Sequence, residues 1–141
     1  MKTALIVHRS HTGTTRRLAE EMGAFVAEHE ITPTVVSVGD CDVERVNEAD
    51  YVLLGCWTNG LMIIAQHPDQ PWIDFARDLP AIPTARVGLF TTYKLATGSM
   101  FGQMRRHLSG KVSSFGLELK SRNGHLSDGN KRDLERFLSG S

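Results

Sequence analysis

Charge of one sign is what this chain lacks. Sixteen Lys and Arg residues are matched by sixteen Asp and Glu, so the formal net charge is zero. There is then no global field to draw in nucleic acid or an anionic membrane, and any partner must be recognised locally. Cysteine is scarce too. Cys41 and Cys56 form neither a C-x-x-C pair nor a metal-type cluster, which argues against a disulfide scaffold and fits a reducing, cytoplasmic setting. No window approaches the roughly 18 apolar residues of a membrane span. The opening Met1-Lys2-Thr3-Ala4-Leu5-Ile6-Val7 is broken by Arg9 too soon to make a secretory signal. The six histidines, at positions 8, 11, 29, 67, 107 and 125, show no H-E-x-x-H or comparable spacing, so metal catalysis is not expected. A G-x-x-x-x-G-K-[S/T] loop is absent as well, which removes support for nucleotide hydrolysis. Repeats and low-complexity stretches are missing.

What is present is hydrophobic patterning. With 141 residues and 40% hydrophobic content, the chain can bury one core, and a single domain over 1–141 is expected. Ala4 to Val7 is a continuous apolar run, as in a strand covered on both faces. Leu18, Ala19, Met22, Phe25 and Val26 recur at helical spacing, which predicts a helix from about Thr14 to Glu28. The alternation continues with strands at Thr34 to Val38, Tyr51 to Gly55, Arg86 to Thr91 and Val112 to Leu119. Helical segments fall at about Val43 to Glu48, Trp72 to Leu79 and Ser99 to Leu108, and a last helix capped by Ser127 runs to about Leu138. Five strands alternating with five helical segments imply an α/β fold: a doubly wound five-stranded parallel sheet with helices on both faces. In such sheets ligands bind outside the carboxyl ends of the strands, where strand order reverses. The first, third and fourth strand ends are therefore expected to converge on one site.

The loop Ser10-His11-Thr12-Gly13-Thr14-Thr15 carries the most chemistry. It lies between a buried strand and a helix N-terminus, and it offers four hydroxyls, backbone N–H groups and a helix dipole to one anion. Such a set suits a phosphate monoester, and Gly13 lets the backbone turn closely around it. The alternative is that Thr12 or Thr14 merely caps the helix. A cap needs one hydroxyl, however, and the loop supplies four.

Ser10, Thr12, Gly13 and Thr15 resemble the phosphate-loop pattern [S/T]-x-T-G-x-T of the flavodoxins. The resemblance extends to element order along the chain, and the last strand lacks the insertion of long-chain members, so the chain looks like a short-chain type. This implies FMN as cofactor, a flavodoxin-like strand order 2-1-3-4-5, and two further loops around the flavin ring. One is Gly55-Cys56-Trp57-Thr58-Asn59-Gly60, similar to a family loop Gly-x-x-Thr-Trp-Gly, with the aromatic two positions early and Asn59 in its usual place. Trp57 either stacks on the ring or covers the sheet end. Gly60 matches the glycine whose peptide flips in the family to meet the flavin N5, and Asn-Gly is suited to that motion. The other loop is Thr91-Thr92-Tyr93-Lys94-Leu95-Ala96-Thr97-Gly98. There Tyr93 would stack, or face solvent, and Thr91, Thr92 and Gly98 would contact the polar edge of the ring. Lys94 would favour the anionic reduced flavin, or simply be solvated.

Remaining features have plainer readings. His11 either donates to phosphate or points to solvent. Cys56 reads as an inert thiol. Arg105, Arg106, His107 and Lys111 read as a solvated helix end, and Met62, Met100, Phe101 and Met104 either line the pocket or belong to the core, the core being the better reading. A response-receiver reading fails, since His8-Arg9 and Gly55-Cys56 stand where it needs acids. The leading function is an FMN-binding one-electron carrier docking on redox partner proteins, a flavin or iron–sulfur reductase and an acceptor, as a monomer or weak homodimer. Its zero net charge departs from the acidic surface typical of the family. The alternative is a flavodoxin-fold oxidoreductase acting on a quinone or porphyrinogen, with the stretch through Gln66, His67 and Trp72 walling its pocket. A non-redox binding module would have little reason to keep the hydroxyl-rich loop.

Overall fold

The computed structural model describes residues 1–59 and 66–140. Among them the chain alternates β1 (Thr3–Arg9), α1 (Thr14–Glu28), β2 (Thr32–Ser37), a 3₁₀ turn (Val43–Glu48), β3 (Tyr51–Trp57), α2 (Gln70–Asp78), β4 (Arg86–Thr92), α3 (Met100–His107), β5 (Leu117–Ser121) and α4 (Asp128–Ser139). All strand pairs are parallel, in the order β2-β1-β3-β4-β5. The order reverses between β1 and β3, and this sets their carboxyl ends side by side with that of β4.

Apolar side chains leave the central strands on both faces, which is why β1 and β3 read as unbroken apolar runs. Ala4, Ile6, Tyr51, Leu53 and Phe90 meet Leu18, Met22 and Val26 of α1 and Leu134 and Phe137 of α4. On the opposite face Val7, Val52, Leu54 and Leu89 meet Trp72 and Phe75 of α2 and Met100 and Met104 of α3. Met100 and Met104 are fully buried, as expected of core residues. Close approach is tightest where β3 crosses Phe90: a Cβ on Gly55 would lie 2.1 Å from that ring. Among the described residues, no helix is long and apolar enough to cross a membrane.

Several boundaries differ from expectation, that of the last strand most. The last strand is Leu117–Ser121 rather than Val112 to Leu119. Val112 donates its N–H back to Leu108 and packs its side chain on the core from a connecting turn, and pairing with β4 begins only at Gly88 opposite Leu117. Glu118 and Lys120 are exposed while Leu117, Leu119 and Ser121 are buried, so this edge strand is covered on one face only. Helix α2 begins at Gln70, before Trp72, because Asp69 caps it by accepting the Trp72 N–H.

Candidate functional site

The loop after β1 reaches α1 through Gly13, whose φ of 94° is a left-handed conformation that favours glycine. Ser10 Oγ accepts the Gly13 N–H at 2.9 Å and closes the turn. The first helical bond runs from the Arg17 N–H to the Gly13 carbonyl, so the N–H groups of Thr14, Thr15 and Arg16 stand outside the helix ladder. No side chain caps them. Capping by Thr12 or Thr14 therefore does not account for the hydroxyls. Thr12 and Thr14 instead bring their Oγ1 atoms within 3.4 Å of each other at the exposed helix start. Uncapped N–H groups, two adjacent hydroxyls, no acidic residue in the first turn and open space beside Gly13 make a cradle that fits a phosphate.

Thr15 points the other way. It is buried, and its hydroxyl shares a 2.6 Å hydrogen bond with that of Thr92 at the end of β4. This bond ties the helix start to the fourth strand. Thr91 donates its hydroxyl to the Cys56 carbonyl at 2.6 Å and lies 2.8 Å from the Thr58 hydroxyl, while the Thr58 N–H donates to the Thr92 carbonyl. The ends of β1, β3 and β4 are thus bound into one rim, as the strand-order argument expects. Asn59 exchanges two backbone hydrogen bonds with His67, which closes the connection after β3 on itself.

Trp57 is half-buried. Its ring stacks on His11 with centroids 4.6 Å apart, and its Nε1 donates to Asp69 at 2.7 Å. Asp69 also accepts Arg9 Nε at 2.7 Å and sits 3.7 Å from Cys56 Sγ, so one nearly buried carboxylate joins β1, β3 and α2. Asp69 is the residue that motif reasoning missed; its one sequence signal is the Asp-x-Pro helix start. Cys56 has its thiol in the core, where burial pushes it well above the ordinary thiol range and the Asp69 charge adds to that rise. It is an inert thiol, and only its backbone belongs to the rim.

Tyr93 is half-buried just past β4, with Lys120 Nζ 5.9 Å and Arg122 Cζ 5.4 Å from its ring centre. Gly98 has φ of 49° in the turn before α3. Gly60 and Met62 lie outside the described residues. Trp72 is fully buried in the core under α2 and walls no pocket, contrary to the expectation that accompanied the substrate-binding alternative. Two cavities are described. The larger, about 390 Å³, is lined by Thr3, Leu5, Val36, Cys41, Arg45 and others between β2 and the 3₁₀ turn; the smaller, about 180 Å³, lies beside Phe137. Neither touches the rim. Among the described residues no group of His, Cys, Asp or Glu is arranged to hold a metal.

Comparison with known proteins agrees with this geometry. Solved structures with the same fold include a short-chain flavodoxin associated with a non-canonical PDU bacterial microcompartment, at 18% identity, TM-score 0.78, and 99% and 96% coverage of this chain and that one. The two-electron reduced flavodoxin of Megasphaera elsdenii aligns at 22% identity, TM-score 0.77, and 98% and 99% coverage. Flavodoxin 1 of Bacillus cereus aligns at 15% identity, TM-score 0.74, and 99% coverage of both chains. No curated protein matches the sequence. A family profile described as Flavodoxin matches residues 6–138, almost the whole chain, and this protein belongs to the flavodoxin family.

Proposed function

We propose that this protein binds FMN with its phosphate on the Ser10–Thr15 loop and its ring between the loops after β3 and β4, and that it passes single electrons between partner proteins. Members of its family bind FMN and transfer electrons. The observation that carries the reading is the uncapped start of α1, with the Thr12 and Thr14 hydroxyls beside three N–H groups outside the helix ladder.

Bound FMN supplies one- and two-electron redox chemistry. The chain's own residues bind and orient it. Ser10 holds the turn through the Gly13 N–H, while Thr12, Thr14 and the helix N–H groups receive the phosphate oxygens, with His11 alongside. Thr15 and Thr92 lock that loop to β4. Thr58, Asn59, the Cys56 backbone and Trp57, which Asp69 fixes, form one wall, and Thr91, Thr92, Tyr93 and Gly98 the other.

Titration of the apoprotein with FMN, followed by quenching of flavin fluorescence, tests the reading. One FMN per chain is expected, with riboflavin weaker by at least about tenfold, or about 1.4 kcal/mol, because it lacks the phosphate. Equal affinity for the two flavins, or none for FMN, removes the phosphate-loop assignment. Stepwise one-electron photoreduction supports a carrier, and steady turnover of NAD(P)H with a quinone would make it an enzyme.

A further inference from the structure

The zero net charge conceals an uneven distribution. Among the described residues at the carboxyl ends of β1, β3, β4 and β5 (9–17, 57–59, 66–69, 92–99 and 120–127), Arg9, Arg16, Arg17, Lys94, Lys120 and Arg122 are basic, against one acid, Asp69. The acids Asp40 and Asp42 follow β2, at the far edge of the sheet.

Some of these cations are already neutralised. Arg9 is paired with buried Asp69, and Arg16 lies 3.9 Å from Glu20. Of the acids near β5, Glu118 pairs with Arg105 and Glu21 is hydrogen-bonded to His125, while Asp128 at the start of α4 is the acid that enters no ion pair among the described residues. Arg17 turns its guanidinium to the Asn123 carbonyl, 2.9 Å away, and enters no ion pair among the described residues. Lys94, Lys120 and Arg122 are exposed and equally without an acid partner. Lys120 projects from the open face of β5, opposite Leu119 and Ser121, and it and Arg122 flank the half-buried Tyr93 ring.

We infer that this cationic patch around Tyr93 is the docking surface for an acidic protein partner, so that the chain presents positive charge where its family's carriers usually present negative. The inference rests on the proposed FMN site, because Tyr93 belongs to the rim that holds the ring. The cations come from three separate segments spread over an open surface, and neither described cavity lies among them. Such a spread matches an extended acidic surface better than one compact anion. Local complementarity of this kind raises the association rate and makes it salt-dependent even when net charge is zero.

The test uses the FMN-loaded protein with two probes of opposite charge, an acidic plant-type ferredoxin and basic cytochrome c, by isothermal titration at 20 and 300 mM NaCl. Ferredoxin should bind at low salt, weaken at least about tenfold at high salt, and weaken as much in K120E/R122E. Circular dichroism of that variant confirms its fold, and K120A/R122A should show an intermediate loss. Preference for cytochrome c, no binding of ferredoxin, or undiminished binding in the variant overturns the inference. So does competition by millimolar inorganic phosphate at fixed ionic strength, which would make the patch a small-anion site. Ferredoxin binding to a chain that takes up no FMN would uphold the patch and overturn the proposed function.

Discussion

Trp57 Nε1 donates to Asp69 Oδ2 across the mouth of the sheet at 2.7 Å, and the same oxygen accepts Arg9 Nε. One carboxylate therefore sets the orientation of the aromatic that stacks on His11 in the loop after β1. Replacing Asp69 with Ala would leave Arg9 and the indole N–H without their acceptor and uncap α2. The expected cost is about 3 kcal/mol, and Asp69→Asn, which keeps an acceptor and the cap, should cost markedly less. Urea unfolding checks this; equal losses in the two variants would mean that the charge contributes most.

Thr15→Val replaces a buried hydroxyl with a methyl and strands that of Thr92, its partner at 2.6 Å. A loss of about 1–2 kcal/mol is expected from the unpaired group. Thr15→Val/Thr92→Val should recover part of it, since an apolar pair leaves nothing unsatisfied. Thermal melts of the singles and the double form the cycle.

Gly55→Ala should destabilise by about 2 kcal/mol or more, because the new methyl would lie 2.1 Å from the Phe90 ring. Phe90→Leu on that background makes room, and the double variant should cost less than the sum of the singles. Strict additivity would show that the ring already has somewhere to move.

Gly13→Ala meets no neighbouring atom within 4 Å, so its penalty is conformational alone, about 1–2 kcal/mol at φ 94°. FMN affinity should fall while riboflavin affinity holds, since the altered backbone belongs to the proposed phosphate cradle. A parallel fall for both flavins would place the glycine's effect elsewhere.

His8 lies at the end of β1 with Nδ1 buried and unpartnered. Burial, aided by Arg16, holds its pKa below the usual 6.5, while Glu20 and Asp40 oppose the shift. The unfolded chain thus takes up a proton near pH 6.5 that the folded chain refuses, and stability falls as pH drops from about 6.5 towards the folded value. His8→Gln should flatten that part of the stability–pH curve; an unchanged slope in chemical denaturation between pH 7 and pH 5 assigns the effect to other groups.

The span of α1 was legible to the residue because its periodicity and its glycine start coincide. The spread of β5 was not, since Val112 is apolar in a turn that merely packs on the core, and composition does not distinguish a paired strand from a packed loop. Trp57 was legible as an aromatic at the mouth, yet its two partners, His11 and Asp69, come from other connections.

Local patterning alone determined the α/β alternation and the hydroxyl-rich loop after the first strand, because apolar periodicity and glycine placement act over a few residues. The [S/T]-x-T-G-x-T resemblance added the strand order and the ligand class. Only the tertiary structure decided that Thr12 and Thr14 leave the helix start uncapped and that Thr15 turns inward to Thr92. The gathering of Lys120 and Arg122 about Tyr93 was decided there as well. The last two depend on which strand ends are neighbours, and parallel pairing brings together residues distant in the chain that no short window contains.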